Sequence, residues 1–246
     1  MRDVVLVFPN VEDLSRRVAE EFVRLAQQQI RARGLFCVAL SGGSTPKTLY
    51  ALLAGSYSKE ISWNLVHFFW TDERCVGPEH PESNYRMARE TLLSRVPLPS
   101  INVHRIPTDA ASPERVASMY EQLLRTFFKL QERSWPEFDL VLLGLGEDGH
   151  VASLFTGSQA LRETQRLTAI SRGGNPPLSR VTLTVPVFNR ARHLFWLVAG
   201  EPKASIVQAV LKGGPQPQEL PARRIQPISG EALWFLDEAA AAGLQR

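Results

Sequence analysis

Glu147, Asp148 and His150 place three ionisable side chains within four residues in the middle of the chain. They follow the segment 140–145, in which five of six residues are apolar. This run is short and is bounded by glycine, which indicates a strand buried on both faces, as in a parallel sheet. Ligands of open α/β sheets bind beyond the carboxyl ends of such strands. Histidine changes its charge between about pH 5 and 8, so His150 is the residue best suited to move a proton there.

Two other interpretations of this segment are open. A Gly-Glu-Asp-Gly turn after a strand can be only a solvated turn, with His150 as a helix-entry residue. The residues GLGEDG at 144–149 also match the dinucleotide pattern G-x-G-x-x-G. We disfavour that match because Glu147 and Asp148 would face a pyrophosphate with like charge. In addition, Val151–Phe155 allows only a short helix, and no clear acidic residue ends a second strand about 20 residues later.

A loop rich in glycine and hydroxyl groups, SGGSTP at 41–46, follows the apolar run Leu35–Leu40 and precedes a helical pattern over Lys47–Leu53. Glycines let the backbone approach a ligand closely, the hydroxyls add donors, and a helix N-terminus favours an anion. The loop lacks the G-K-[ST] ending of a P-loop, so a nucleoside triphosphate is not favoured. A tight turn with a capping serine is the structural alternative, but we predict an anion site. Its candidate binding residues are Gly42, Gly43, Ser44 and Thr45.

Charged residues also end two further predicted strands. Val66–Trp70 runs into TDER at 71–74, where Asp72 and Arg74 are candidate site residues. Most such clusters are helix caps or surface salt bridges, which is the alternative here. His193–Ala199 runs into Gly-Glu-Pro-Lys, so Lys203 lies at a strand-to-helix junction from which it could reach an anion. Taken alone, this lysine would be an ordinary solvated side chain.

The composition is that of a soluble globular protein, with 246 residues of which 44% are hydrophobic and 22% charged. No apolar run is long enough to span a membrane, and the first residues lack the features of a signal peptide. Cys37 and Cys75 have no metal-ligand spacing, which favours a reduced cytosolic setting and no metal site. The net charge of +3 comes from scattered basic residues, so nucleic acid is not an expected partner. A slightly basic protein weakly favours a small anionic substrate.

Strand and helix patterns alternate, which predicts an α/β fold with a doubly wound, mostly parallel sheet and helices on both faces, in one domain over residues 1–246. Besides the strands given above, strands are predicted at Val4–Phe8, Val103–Ile106, Leu167–Ile170, Arg180–Val185 and Ala232–Leu236. Further helices are predicted at Val11–Ala32, Ser83–Leu93, Ser112–Leu130, Pro186–Arg190, Lys203–Leu211 and Asp237–Ala242. Pro78–Pro81 and Gly213–Pro221 are predicted loops, and the region 167–185 is a predicted small β-rich addition.

Four motifs, taken in this order, resemble those of the 6-phosphogluconolactonase family: SGGSTP at 41–46, TDER at 71–74, GLGEDGHVASLF at 144–155 and GEPKA at 200–204. The resemblance spans nearly the whole chain and includes HPESNYRMARETLLSRVP at 80–97 and ALWFLDEAAA at 232–241. Each motif alone is weak, but the ordered set is specific. The match is least secure over 213–221 and at Arg223 and Arg224.

This family is similar in fold to glucosamine-6-phosphate deaminases and ribose-5-phosphate isomerases, so the resemblance implies a Rossmann-like sheet. In the deaminases, Asp-Gly-His is typically followed by a run like Ile-Ala-Phe-Asn-Glu-Pro. Here Val151–Gly157 is different, and Arg74 stands where the deaminases usually have tyrosine. Both differences favour a lactonase. A sugar-phosphate isomerase or deaminase is the alternative among enzymes, and a non-catalytic sugar-phosphate sensor is the alternative outside them.

The resemblance implies hydrolysis of 6-phospho-D-glucono-1,5-lactone to 6-phosphogluconate in the oxidative pentose phosphate pathway, by a cytoplasmic enzyme without metal or organic cofactor. The sugar-phosphate lactone would be its small-molecule partner, and a monomer is expected. His150 would take a proton from water, Arg74 would offset charge on the lactone oxygen, and the glycine-rich loop with Lys203 would hold the phosphate. A nearby carboxylate would orient the imidazole. The candidate carboxylates are Asp72, Glu147 and Asp148.

Overall fold

The computed structural model describes residues 4–109, 112–174, 177–213 and 219–244. The strands in these ranges are β1 (Val4–Phe8), β2 (Phe36–Leu40), β3 (Val66–Trp70), β4 (Asp72–Arg74), β5 (Leu140–Leu143), β6 (Thr168–Gly173), β7 (Leu178–Leu183), β8 (His193–Val198) and β9 (Glu231–Asp237). The α-helices are α1 (Val11–Arg33), α2 (Ser44–Ala54), α3 (Asn84–Thr91), α4 (Pro113–Phe127), α5 (Gln159–Arg162), α6 (Val185–Phe188), α7 (Ala204–Lys212) and α8 (Glu238–Ala241).

Six strands form a parallel sheet in the order β1-β9-β8-β5-β2-β3. Every residue of β2 and β5 is buried, so the centre of the sheet is covered on both faces and its strands are continuously apolar. The chain runs from β2 outward to β3, returns across β2 to β5, and continues away from it to β8 and β9. The crevice between β2 and β5 is therefore a topological switch point, where ligands of such sheets bind. The predicted fold class is confirmed.

Capping residues set the ends of the long helices. The sequence predicts Asn10 and Ser112 as N-caps, and each side chain accepts a hydrogen bond from the backbone N–H three residues further on. Gly34 ends α1 in the left-handed conformation, with φ at 79°. The predicted bounds of β1 and β3 are confirmed, and those of α1 and α4 agree within one turn. None of the helices in the described ranges is long and apolar enough to cross a membrane.

A smaller antiparallel sheet has the order β4-β7-β6. The hairpin of β6 and β7 confirms the predicted β-rich addition around 167–185, although residues 175 and 176 of its turn lie outside the described residues. TDER meets the cap and salt-bridge alternative in part, because Glu73 accepts backbone N–H groups at the start of α3 and Nη1 of Arg74 lies 3.7 Å from the Glu82 carboxylate. Asp72–Arg74 also pairs along the edge of β7 as a strand. The small sheet therefore stands beyond the carboxyl end of β3, beside the switch point.

Some predicted elements are wrong or incomplete. Val103–Ile106 is not a strand, because only Val103 bridges to Phe68 at the edge of the sheet and the chain then leaves it. The short helix α5 was not among the sequence predictions. In the predicted loop Gly213–Pro221, residues 214–218 lie outside the described residues, and a 3-10 turn follows at Pro221–Arg224.

No helix forms at Val151–Phe155, where the sequence allows at most a short one. The segment folds as turns with an isolated bridge between Val151 and Leu154. Gly149 and Ala152 both take left-handed backbone angles, with φ at 82° and 50°. A right-handed helix cannot include such residues, so the chain turns back towards the end of β5 instead of rising away from it.

Candidate active site

A cavity of about 260 Å³ opens at the switch point, at the carboxyl ends of β2, β3, β5 and β8. The four junctions that the sequence singles out all contribute to its lining. The predicted site residues that line it are Gly42, Gly43, Ser44, Thr45, Asp72, Arg74, His150 and Lys203. Asp148 and Glu147 do not line the cavity but contact residues that do. The structure thus brings together residues that are as far apart in the chain as Gly42 and Lys203.

The glycine-rich loop supplies the start of α2, which begins at Ser44, earlier than predicted. Gly43 has φ at 107°, a backbone conformation that residues other than glycine rarely adopt. A Cβ atom on Gly42 would lie 1.9 Å from Oδ1 of Asn84, so a larger residue would displace the Asn84 amide from the cavity wall. No side chain caps α2, which leaves its first backbone N–H groups available at the cavity wall. A helix N-terminus of this kind favours an anion.

The imidazole of His150 is bonded to the carboxylate of Asp148, with Nδ1 2.5 Å from Oδ1. An ionised carboxylate can only accept, so Nδ1 carries the proton and Nε2 is left as the acceptor nitrogen. The backbone N–H of His150 donates to the same carboxylate oxygen at 3.1 Å. On its other side the imidazole packs against Phe155, with ring centroids 4.7 Å apart. These contacts hold the ring in one orientation at the cavity.

The carboxylate of Asp148 is held in its charged form. Partial burial would raise its pKa, but the charge and hydrogen bonds of His150 outweigh this and lower the pKa below the ordinary aspartate value. The group therefore stays ionised through the neutral range, and its bond to His150 is lost only in acid. Gly146 makes room for the pair, because a Cβ atom there would lie 2.0 Å from Nδ1 of His150.

Asp72 is buried and its carboxylate already has several partners. Oδ2 accepts from the Ser153 hydroxyl at 2.5 Å. Oδ1 accepts from the Thr71 hydroxyl at 3.3 Å and from the Asn84 amide at 3.4 Å, and the guanidinium of Arg180 lies 3.9 Å away. Both oxygens of this carboxylate are therefore already engaged by neighbouring donors. Its geometry suits holding these neighbours in place at the cavity wall.

The neighbouring Glu73, which is only 1% exposed, organises the approach of α3. Its carboxylate accepts the backbone N–H groups of Arg74, Asn84 and Tyr85, each at 2.8 Å, and the Ser83 hydroxyl at 3.0 Å. Burial raises the pKa of Glu73, and these backbone bonds oppose the rise. The carboxylate thus ties β4 to the first turn of α3 and brings Asn84 to the cavity.

Cationic side chains lie at both sides of the cavity. Arg74 donates from Nη1 to the backbone carbonyl of Glu82, while its Nε is buried with no hydrogen-bond partner in the described structure. Lys203 lies at the start of α7, with its Nζ 3.8 Å from the Glu147 carboxylate. The Glu147 carboxylate therefore neighbours Lys203, whereas the Asp148 carboxylate is hydrogen-bonded to the imidazole of His150.

Sequence reasoning missed three residues of this region. Asn84 and Arg180 line the cavity, and Ser153 bonds Asp72 beneath it. Arg180 carried a usable signal, because it is the one charged residue of the predicted strand Arg180–Val185. Asn84 and Ser153 carried none. Within the residues that the structure describes, no three His, Cys, Asp or Glu side chains converge to hold a metal ion.

The fold and this crevice place the protein in the class of doubly wound α/β proteins with a ligand site at the switch point. Residues 9–234 match the family model described as glucosamine-6-phosphate isomerases/6-phosphogluconolactonase. The chain belongs to this family. It is 45% identical over 216 residues to a 6-phosphogluconolactonase from a Synechocystis species, covering 88% of each chain. It is 41% identical to a 6-phosphogluconolactonase from a Nostoc species over 99% of each chain.

Solved structures agree with this assignment. The 6-phosphogluconolactonase from Trypanosoma brucei superposes with a TM-score of 0.88 at 30% identity, covering 99% of each chain. A monomeric glucosamine-6-phosphate deaminase superposes with a TM-score of 0.83 at 18% identity, covering 98% of this chain and 99% of the other. At that identity the deaminase supports the shared fold alone.

Proposed function

We propose that this protein hydrolyses 6-phospho-D-glucono-1,5-lactone to 6-phospho-D-gluconate, with His150 as the general base. The observation that carries the proposal is the orientation of this imidazole: its Nδ1 is bonded to Asp148, and the ring lines a cavity with cationic groups around it. Relatives that are named 6-phosphogluconolactonase and align over nearly the full chain support the same reaction.

In the proposed mechanism, His150 Nε2 takes a proton from water as the water oxygen attacks the lactone carbonyl. The electron pair of the carbonyl moves onto its oxygen, and Arg74 offsets the charge there. When the bond from C1 to the ring oxygen breaks, the imidazolium returns its proton to that oxygen. Asp148 stabilises the imidazolium between the two steps, in the manner of the third member of a catalytic triad.

The phosphate is proposed to bind where α2 begins, against Gly42, Gly43, Ser44 and Thr45, with Lys203 adding a charge. Replacing Lys203 by alanine is expected to weaken binding of 6-phosphogluconate by about 1.5–3 kcal/mol, the usual value of a charge-assisted bond. Titration calorimetry measures this loss, and a thermal melt serves as the folding control. Unchanged affinity in a folded variant would remove Lys203 from the site.

The carboxylate that assists His150 is proposed to be Asp148. Asp148→Asn should lower kcat on the order of 10²-fold, less than at a buried triad because this carboxylate is partly exposed. Glu147→Gln, one residue away, is the matched control and should change kcat far less because Glu147 is turned towards Lys203. Equal effects of the two substitutions on kcat would contradict the assignment.

The decisive assay follows acid release from freshly made lactone, corrected for spontaneous opening. Ammonia release from glucosamine 6-phosphate, measured on the same preparation, tests the deaminase alternative. We expect lactone hydrolysis well above the spontaneous rate and no deamination. A preparation that binds 6-phosphogluconate but accelerates neither reaction would instead fit a sugar-phosphate sensor. The free thiols of Cys37 and Cys75 suit the cytoplasmic setting that we also propose.

A further inference from the structure

Two arginines face each other at the cavity. Arg74 on β4 and Arg180 on β7 are directly paired in the antiparallel register, and both line the cavity. Like charges directly opposite each other destabilise a strand pair. Arg180 is only 8% exposed. Burial lowers its pKa and the charge of Arg74 adds to this, against the opposing effect of Asp72. An unfavourable pair of this kind is expected where an anion binds.

The protein groups around these arginines satisfy only part of their donors. Arg180 donates from Nε to the carbonyl of Gly173 at 3.1 Å, and its Nη1 is 3.9 Å from Asp72, too far for a hydrogen bond. The near oxygen of Asp72 is already bonded by Ser153 at 2.5 Å. Nη1 of Arg74 donates to the backbone carbonyl of Glu82 and lies 3.7 Å from the Glu82 carboxylate, whereas Nε of Arg74 is buried without a partner in the described part of the chain. Both guanidinium groups therefore keep N–H donors for an oxygen ligand.

Arg180 shares the ring of Phe155 with the imidazole of His150, and the strand that leads to Arg74 is distant from the strand that leads to Lys203. The Arg180 guanidinium stands over the Phe155 ring at 5.7 Å, and the same ring contacts the imidazole of His150. Lys203 follows β8, whereas Arg74 follows β3, and β5 and β2 lie between them. At about 4.8 Å per strand this separates the two strand ends by roughly 14 Å. The cavity thus has a cationic group at each end.

We infer that Arg180, together with Arg74, forms a second anion subsite that binds the C1 oxygens and finally the carboxylate that hydrolysis creates. The inference rests on the proposed function, since the lactone carries one anionic group and the product carries two. When the C1 bond to the ring oxygen breaks, the ring oxygen takes the proton from His150. The new carboxylic acid then releases its proton to solvent, which leaves a carboxylate between the guanidinium groups. Asp72 and Glu82 offset part of the repulsion between the arginines. Negative charge on the C1 oxygens, first in the tetrahedral intermediate and finally in the carboxylate, offsets more of it, which favours the transition state over the bound lactone.

The test compares two ligands that differ at C1 alone. 6-Phosphogluconate has a carboxylate there, and glucitol 6-phosphate has an alcohol. Wild-type protein is expected to bind 6-phosphogluconate at least roughly tenfold more tightly, as a charge-assisted bidentate contact predicts. Arg180→Lys should lose about tenfold or more of the affinity for 6-phosphogluconate and little for glucitol 6-phosphate, because lysine lacks the planar fork. Lys203→Ala should lower the affinity for both ligands equally, because both carry the same phosphate.

The matched control is Arg172→Lys, which changes an exposed arginine on the adjacent strand β6 and should leave both affinities unchanged. Equal loss for both ligands in Arg180→Lys would place Arg180 on the phosphate, and no loss would leave it a structural residue; either result overturns the inference. If Arg180→Lys does not fold, the wild-type comparison still decides, because equal affinity for the two ligands excludes a carboxylate subsite.

Lactone hydrolysis by the wild-type protein is measured separately. Hydrolysis with no preference between the two ligands would overturn the subsite and leave the proposed function intact. Absence of hydrolysis would overturn the proposed function itself, whatever the binding data show.

Discussion

Replacing His150 by asparagine is expected to remove roughly 10²–10⁴-fold of the enzymatic rate, the usual share of general base catalysis. Asparagine can keep a hydrogen bond to Asp148, but it cannot accept a proton from water at neutral pH. Binding of 6-phosphogluconate should largely survive, because the phosphate contacts lie on other elements. The measurement is kcat for lactone hydrolysis after subtraction of the spontaneous reaction, alongside calorimetric affinity for the product.

A folded His150→Asn protein that retains a near wild-type rate would mean that the base lies elsewhere. Asp72 would then be the next candidate, although its oxygens already accept bonds from Ser153, Thr71 and Asn84. If the affinity for 6-phosphogluconate fell strongly together with kcat, the substitution would have disturbed the cavity as a whole. That result would not identify the base.

Gly146→Ala should also lower kcat for lactone hydrolysis, although it removes no catalytic group. The new Cβ would lie 2.0 Å from Nδ1 of His150 and 2.7 Å from Oδ1 of Asp148, so these side chains must move from their present positions. A displacement of about 1 Å at a reacting group can cost roughly 10²-fold in rate, and we expect kcat to fall by that order. Gly144→Ala is the control, because a Cβ at Gly144 meets no atom within 4 Å.

The comparison between these two glycines separates positioning from general damage to the loop. Both lie in the loop after β5, and neither has a left-handed backbone that alanine would strain. If Gly144→Ala lowered kcat as much as Gly146→Ala, the loss would come from the loop as a whole. If neither changed kcat, the bond between His150 and Asp148 would have no part in the rate.

The parallel sheet could be predicted from the sequence because its strands are buried on both faces and read as continuous apolar runs. The short strand β4 could not. Its residues Asp72–Arg74 are all charged, and they form a strand only because the edge of β7 offers backbone partners far away in the chain. The strand predicted at Val103–Ile106 is wrong for the opposite reason. Its end residues are apolar, but only Val103 pairs with the sheet, through a single bridge to Phe68.

The candidate site was predictable where a strand end carries an unusual residue, as at His150 and Lys203. It was not predictable where a residue reaches the cavity through tertiary structure. Asn84 arrives there because the buried Glu73 binds the backbone at the start of α3. The sequence also could not predict which carboxylate binds the imidazole of His150. Glu147 and Asp148 are adjacent in the chain, and only the geometry of the turn decides which of them contacts the ring.

The pairing of β1 with β9 has a consequence for how the chain folds. The last strand lies between the first strand and β8, so β1 has no neighbour in the sheet until β9 arrives. Pairings between such distant segments form slowly. During synthesis β1 is thus an unpaired apolar strand, and even in the folded protein Val4 and Val7 are 47% and 46% exposed. A nascent or truncated chain that lacks β9 would present this strand as a template for aggregation.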